Sequence, residues 1–271
     1  LALYMRHNCI PAPYSIYKNI YKLAPASILE VSLQDRQPKI QNYWSLLEVA
    51  ENGVKNPFNG TETEAVDELE AVLRRAVNQQ MLSDVPLGAF LSGGIDSSTI
   101  VSLMQSQSSR PVKTFTIGFN NDDYNEAEHA KAVAKHLGTE HTELYVTPQQ
   151  ALDVIPKLPK LYSEPFADSS QIPTFLVSQL ARQHVTVSLS GDAGDELFAG
   201  YNRYIQTHIQ WNKLSRLPVS LRKMLSAGIY NIDPKQWNVL VNPLLKVLPQ
   251  TLQLANFGEK LHKAAGVLSS K

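Results

Sequence analysis

Cysteine is nearly absent from the chain. One residue in 271, Cys9, excludes an internal disulfide and fits a reducing cytosol, so a cytoplasmic location is expected. With no base or charge pattern beside it, Cys9 is expected to be a small buried hydrophobe. An excess of either charge is also lacking. The 25 basic and 25 acidic residues balance, which argues against nucleic-acid and membrane surfaces as partners. No apolar run reaches the length of a membrane span, and no basic-then-apolar leader is read at the start. No G-x-x-x-x-G-K-S/T and no G-x-G-x-x-G occurs, so the Walker and dinucleotide loops are excluded. No G-x-S-x-G occurs, which removes the α/β-hydrolase reading of the serines. His129 and His136, seven apart on one expected helix, lie too far apart for one metal and are expected in solvent. The first residue is Leu1, so a fragment or a processed chain is expected.

What the chain does have is Leu91-Ser92-Gly93-Gly94-Ile95-Asp96-Ser97-Ser98, placed after an apolar run from Leu87 and before Thr99 to Met104. That order reads as a buried strand, a glycine turn and a helix. Gly93 and Gly94 permit positive φ and close backbone approach, so several N–H groups can converge, and the helix start adds its own. Ser92, Ser97 and Ser98 bring hydroxyls, and the whole suits a phosphate-sized anion. A carboxylate beside phosphate repels it unless a cation intervenes, so Asp96 reads as a Mg²⁺ ligand. The plainer alternative is an ordinary strand–helix turn. The density of Gly, Ser and Asp favours a nucleotide site, and the residues match S-G-G-x-D-S, the pyrophosphate loop of ATP pyrophosphatases.

Residues 1–57 read as one β-rich unit, with a hairpin over Ser27–Leu33 and Lys39–Trp44. Asn52 to Pro57 reads as a linker. Thr61 three residues before Glu64 marks a helix start as a capping box, with Ala65, Val66, Leu69, Val72, Leu73, Ala76 and Val77 on one face. Strands at Val112–Phe119, His141–Val146 and Val185–Leu189 then alternate with helices at Glu126–Leu137, Pro148–Leu158 and Ile172–Gln183. Val185–Leu189 is apolar enough to be expected at the centre of the sheet. Such alternation implies an α/β fold with a parallel sheet and helices on both faces, with ligands at the carboxyl ends of the strands. The last strand ends in Ser190-Gly191-Asp192-Ala193-Gly194-Asp195-Glu196. Its acids are either a solvated helix start or cation ligands, and Asp195 is the candidate second Mg²⁺ ligand. Asp122 to Glu126 is read as a polar loop, and Glu164 to Ser170 as the less ordinary of the two. Beyond Ile205 only helical patterning emerges, over Arg216–Leu225 and Leu248–Leu268.

In this order Asp84-Val85-Pro86-Leu87-Gly88, Leu91–Ser98, Phe115–Phe119, Glu164–Ser170 and Ser190–Glu196 resemble the glutamine-hydrolysing asparagine synthetases. The resemblance implies an adenine nucleotide α-hydrolase-like, ATP-pyrophosphatase fold, preceded by the β-rich end of a glutamine amidotransferase domain. Residues 1–57 would be the end of that N-terminal-nucleophile domain, and 58–271 a synthetase domain cut at its C-terminal end. It also implies a ligase that makes asparagine from aspartate through β-aspartyl-AMP, with ATP and Mg²⁺ and with ammonia from glutamine, releasing AMP and pyrophosphate. Ser92, Gly93, Gly94, Asp96, Ser97 and Ser98 would hold pyrophosphate. Leu91, Ile117, Ser190 and Gly191 would bind adenosine, Asp96 and Asp195 would hold Mg²⁺, and Asp192 would stand near the intermediate. A homodimer is compatible with it. A β-lactam synthetase-like ligase and a catalytically incomplete nucleotide-binding fragment are the alternatives. The second follows from two departures: Cys9 does not match the family's N-terminal nucleophile, and no K-x-D-R segment occurs before Lys271. Ala193 and Ala199 stand where the family commonly has glycine.

Overall fold

A computed structural model describes residues 1–119, 126–245 and 257–268, and the polar loop expected at Asp122 to Asn125 falls outside them. The chain forms two compact units, Leu1–Asp192 and Ala193–Lys271. In the first, helix α1 (Ala2–His7) precedes strands β1 (Ser27–Glu30) and β2 (Lys39–Asn42), which pair antiparallel as the expected hairpin. Both faces of this ribbon are open to solvent, since Ile28 and Ile40 are 56% and 63% exposed. Cys9 is exposed, against expectation; it follows Asn8, whose left-handed φ of 60° ends α1, and its neighbour Ile10 takes the buried position.

The expected linker is helical for most of its length. Helix α2 runs Leu46–Lys55, because Ser45 caps it by accepting the Glu48 N–H, and one interior glycine is a tolerable cost of about 1 kcal/mol. Helix α3 (Glu62–Gln80) starts at the expected capping box, with Thr61 and Glu64 satisfying each other's backbone N–H groups. Its apolar face is covered only at the C-terminal end. Val77 is buried and Leu73 packs on the core, whereas Val66 and Val72 remain exposed. At 19 residues the helix is roughly 28 Å long, and only its last turns lie on the core.

The sheet follows: β3 (Leu87–Phe90), α4 (Ile95–Gln107), β4 (Lys113–Phe119), α5 (Ala127–Leu137) and β5 (Glu140–Val146). Then come α6 (Pro148–Leu152), a 3₁₀ turn at Ile155–Lys157, α7 (Leu158–Leu161), α8 (Gln171–Ala181) and β6 (Val187–Leu189). The single helix expected over 148–158 is broken because Pro156 lacks the N–H that continuation needs and its ring crowds the carbonyl four residues earlier, at Leu152. All pairings are parallel, in the order β5-β4-β3-β6. The last strand is therefore at the edge, not the centre, and Val187 is 40% exposed. The apolar character of Val185–Leu189 comes partly from Val185, which packs with Phe115, Leu180 and Ala181 before the strand begins.

Alternation along β4 separates two layers. Phe115 faces α8, while a Cβ added at Gly118 would lie 2.9 Å from Ala127 of α5. Helices α3, α4 and α5 thus cover one face through Val77, Val101, Met104, Ala130 and Ala134, and α8 covers the other. Gly138, at φ 73°, stops α5 as its C-cap. His129 and His136 are both exposed on α5.

The second unit is helical: α9 (Gly194–Phe198), α10 (Asn202–Leu214), α11 (Val219–Tyr230), α12 (Pro234–Leu245) and α13 (Phe257–Leu268). Polar contacts among the described residues help tie it. Ser226 Oγ donates to Ala265 O at 2.8 Å, Trp237 Nε1 donates to Ile229 O at 3.0 Å, and the Arg222 guanidinium lies 5.0 Å from the Trp211 ring centroid. No helix among the described residues is long and apolar enough to cross a membrane.

Candidate nucleotide site

Strand β3 ends at Phe90, and the next residue, Leu91, is 1% exposed and donates its N–H to Phe115 O at 3.0 Å. The chain then turns at Gly93, with φ 80°, and enters α4 at its N-cap Gly94. A side chain at position 93 is excluded twice, by that φ and by space, since its Cβ would lie 2.6 Å from the Ala130 N of α5. The turn is braced by its own serines. Ser97 Oγ accepts the Ser92 N–H at 3.2 Å and donates to Gly94 O at 3.3 Å. That leaves Ser92 Oγ to donate to Ser97 Oγ at 2.9 Å while accepting the Gly94 N–H at 3.2 Å. The hydroxyls of Ser92 and Ser97 are therefore spent on the shape of the loop. Ser98 Oγ is sealed from solvent without a hydrogen-bond partner. The N–H groups of the first turn of α4 have no partner within the helix and are what the loop offers to an anion. Asp96 sits in that turn, and no ion pair among the described residues engages it.

The second Ser-Gly pair meets the first. A Cβ on Gly191 would lie 2.6 Å from Ser97 N and 2.7 Å from Asp96 C, so only glycine lets the end of β6 close on the start of α4. Ser190 Oγ donates to the Asp192 carboxylate at 3.0 Å, which turns that acid back toward its own strand end. Beside these turns, at the carboxyl ends of β3 and β4, is a cavity of about 360 Å³, within the usual range of small-molecule pockets, roughly 300–1,000 Å³. Leu91, Ser92 and Ile117 line it, as do Phe90, Phe115 and Phe119. Its far wall is Pro173, Thr174 and Val177 of α8. The period-two pattern of β4 could have signalled the role of Phe115 and Phe119; nothing in the sequence marked the α8 residues.

In the second unit α9 is held between two left-handed residues, its N-cap Ala193 at φ 73° and its C-cap Ala199 at φ 55°. A Cβ on Gly200 would collide with the Asp195 carboxylate, so that side chain folds over Gly200. Glu196 accepts the Tyr201 hydroxyl at 2.7 Å. The bond holds the glutamate's pKa below its ordinary value and pushes the tyrosine's up to about 12. Among the described residues no three His, Cys, Asp or Glu side chains cluster as a ready-made metal cage.

Residues 68–271 match the family described as asparagine synthase. The chain is 38% identical over 221 residues to a Methanocaldococcus jannaschii protein given the name of a glutamine-hydrolyzing asparagine synthetase, covering 81% of this chain and 41% of that one. It is 34% identical over 225 residues to asparagine synthetase (glutamine-hydrolyzing) 1 of Bacillus subtilis, covering 83% and 34% respectively. The chain thus spans well under half the length of these relatives. A solved NH3-dependent NAD synthetase from Campylobacter jejuni superposes at a TM-score of 0.36 with 12% identity, covering 76% of this chain and 96% of that one. That likeness is too slight to carry the fold, which rests on the sheet itself.

Proposed function

This chain belongs to the asparagine synthase family, and from that premise we propose that it binds ATP at the two Ser-Gly turns in the service of asparagine synthesis. In the proposed reaction a β-carboxylate oxygen of aspartate attacks the α-phosphorus of ATP. The bond to the bridging oxygen breaks, pyrophosphate leaves and β-aspartyl-AMP remains. Ammonia, drawn from glutamine, then attacks the acyl carbon and AMP departs, leaving asparagine. The residues act mainly by positioning. Adenosine takes the cavity beside Leu91 and Ile117 and meets the backbone of Ser190 and Gly191. Pyrophosphate takes the N–H groups of Gly93, Ile95 and Asp96, in a loop shaped by Ser92, Gly94 and Ser97 with Ser98 behind it, and Asp192 stands toward the intermediate. Residues 1–57 are read as the end of a glutaminase domain, which accounts for a hairpin exposed on both faces.

The donor chemistry fits magnesium. Asp96 brings a carboxylate that no ion pair among the described residues engages, and this ion is usually held by one or two carboxylates with phosphate oxygens and water; the acidic run from Asp192 to Glu196 proposes Asp195 as a second ligand. When bound it would lend Lewis-acid help at the phosphorus.

The observation that carries the reading is the approach of Gly191 to Ser97, which joins two separate Ser-Gly turns beside one apolar cavity. The test is calorimetry of Asp96→Ala with Mg-ATP and with AMP. The expected outcome is a loss of at least tenfold for Mg-ATP and little for AMP, which lacks the phosphates a metal bridges. Equal losses for both would remove Asp96 from the metal role.

A further inference from the structure

The loop from Ser163 to Ser170 borders an open cleft. With α7 it lines a cavity of about 270 Å³, with Tyr162, Glu164, Phe166 and Gln171 among its walls. The loop takes its position from its ties, and several come from far away in sequence. Tyr17 donates its hydroxyl to Ser163 O at 2.9 Å, across 146 residues. Ala167 N–H donates to Asn8 O at 2.7 Å. The Lys22 ammonium lies 2.9 Å from Glu164 Oε2 and also donates to Ile10 O. The Glu164 side chain is only 14% exposed, and Lys22 makes no aligned hydrogen bond to its buried oxygen, so charge attraction is the tie.

The loop passes its position on. Gln171, the first residue of α8, donates to Asp168 O at 2.7 Å and to Phe166 O at 3.3 Å, and one turn later Pro173, Thr174 and Val177 wall the larger cavity. We propose that Lys22, with Tyr17 beside it, is a positioning residue for the nucleotide cavity: the segment from Asn8 to Lys22 straps the 163–170 loop and through it sets the α8 wall. Removing the Lys22 charge leaves a mostly buried carboxylate uncompensated, and the loop must move to hydrate it. The strap is therefore coupled to whatever fills the cavity, and the coupling acts equally in both directions.

The inference rests on the nucleotide reading above, and hydrogen exchange on the full chain separates the two. In Lys22→Met, amides of 163–177 should exchange roughly fivefold faster, the scale of a partly exposed ion pair, while β3 to β5 keep their protection as the control for folding. Lys22→Arg, which keeps the charge, should restore slow exchange. ATP should slow exchange in residues 8–22 of the unmodified chain, though none of them lines the cavity, and should fail to do so in Lys22→Met. Unchanged exchange of 163–177 in Lys22→Met would overturn the proposal, as would ATP that binds by calorimetry yet leaves 8–22 unaffected. If the unmodified chain binds no ATP, the nucleotide reading fails, and the strap is judged by the Lys22→Met exchange alone.

Discussion

The two Ser-Gly turns begin alike at a strand end and keep their shape by different means. The first places glycine where the backbone turns left-handed, at Gly93, and braces itself with hydroxyls and N–H groups that stay neutral at any ordinary pH. The second places glycine at 191, where another backbone comes close, but leaves alanine at both left-handed positions, 193 and 199. Its bracing uses charged acceptors: the Asp192 carboxylate accepts from Ser190 and the Glu196 carboxylate from Tyr201. Glycine is thus spent first where there is no room for a Cβ, and only then where φ alone is unfavourable. Clash with a neighbouring backbone has no escape, whereas a left-handed alanine costs about 1–2 kcal/mol and can be carried.

The largest break in this comparison should come from Gly93→Ala. It combines a left-handed φ with a Cβ 2.6 Å from Ala130 N, and should cost the first unit about 2–4 kcal/mol in urea unfolding. A loss within 0.5 kcal/mol, on the scale of an ordinary surface change, would mean the loop and α5 separate easily. Ser97→Ala comes next. It strands the Ser92 N–H and removes the hub of the brace, and should lower stability by about 1–2 kcal/mol, seen as an earlier urea midpoint with an unchanged slope.

Acid should distinguish the turns further. Glu196 has a folded pKa below its ordinary 4.5, so its contribution is complete above that value and is lost as pH falls through the lower folded one. Protection factors, which correct for the slower intrinsic exchange in acid, should therefore fall at 195–201 before they fall at 92–98. The same bond puts Tyr201 ionisation at about 12, and in Glu196→Gln an absorbance titration should find it back toward the ordinary tyrosine value, about 10. The smallest effects are expected from Ala193→Gly and Ala199→Gly. Relief of the left-handed cost, offset by the greater freedom of glycine in the unfolded chain, should leave a gain of roughly 0.5 kcal/mol each in the thermal stability of the second unit.

Local signals were the legible ones. Thr61 with Glu64, Gly138 after Leu137 and the alternation along β4 each declare their element within a few residues, and each is formed. The glycine turn at 93–94 was legible for the same reason. Position within the sheet was not, because an apolar run such as Val185–Leu189 records burial and not which strands lie on either side. How much of the apolar face of α3 is covered was not legible either, because periodicity shows which face is apolar, not how far the core beneath it extends. In the candidate site, the sequence placed Ser92 and Ser97 in one loop but could not show that their hydroxyls turn on each other. The tie of Lys22 to Glu164 carried no sequence signal, since a lone lysine and a lone glutamate so far apart resemble any surface pair.

The edge position of β6 also bears on the order in which the molecule assembles. Gly88 meets Lys113 of β4 across 25 residues, but Leu87 meets Val187 of β6 across 100. Closing the longer loop costs about 1.2 kcal/mol more in chain entropy, and a three-residue strand offers few contacts to offset it. Strands β3, β4 and β5 can therefore come together as a local nucleus, with β6 docking afterwards. Gly191 reaches Ser97 only when β6 has docked. A chain emerging from the ribosome thus carries the first turn long before the proposed nucleotide site is complete, and on that proposal ATP added during refolding should act only once β6 has docked.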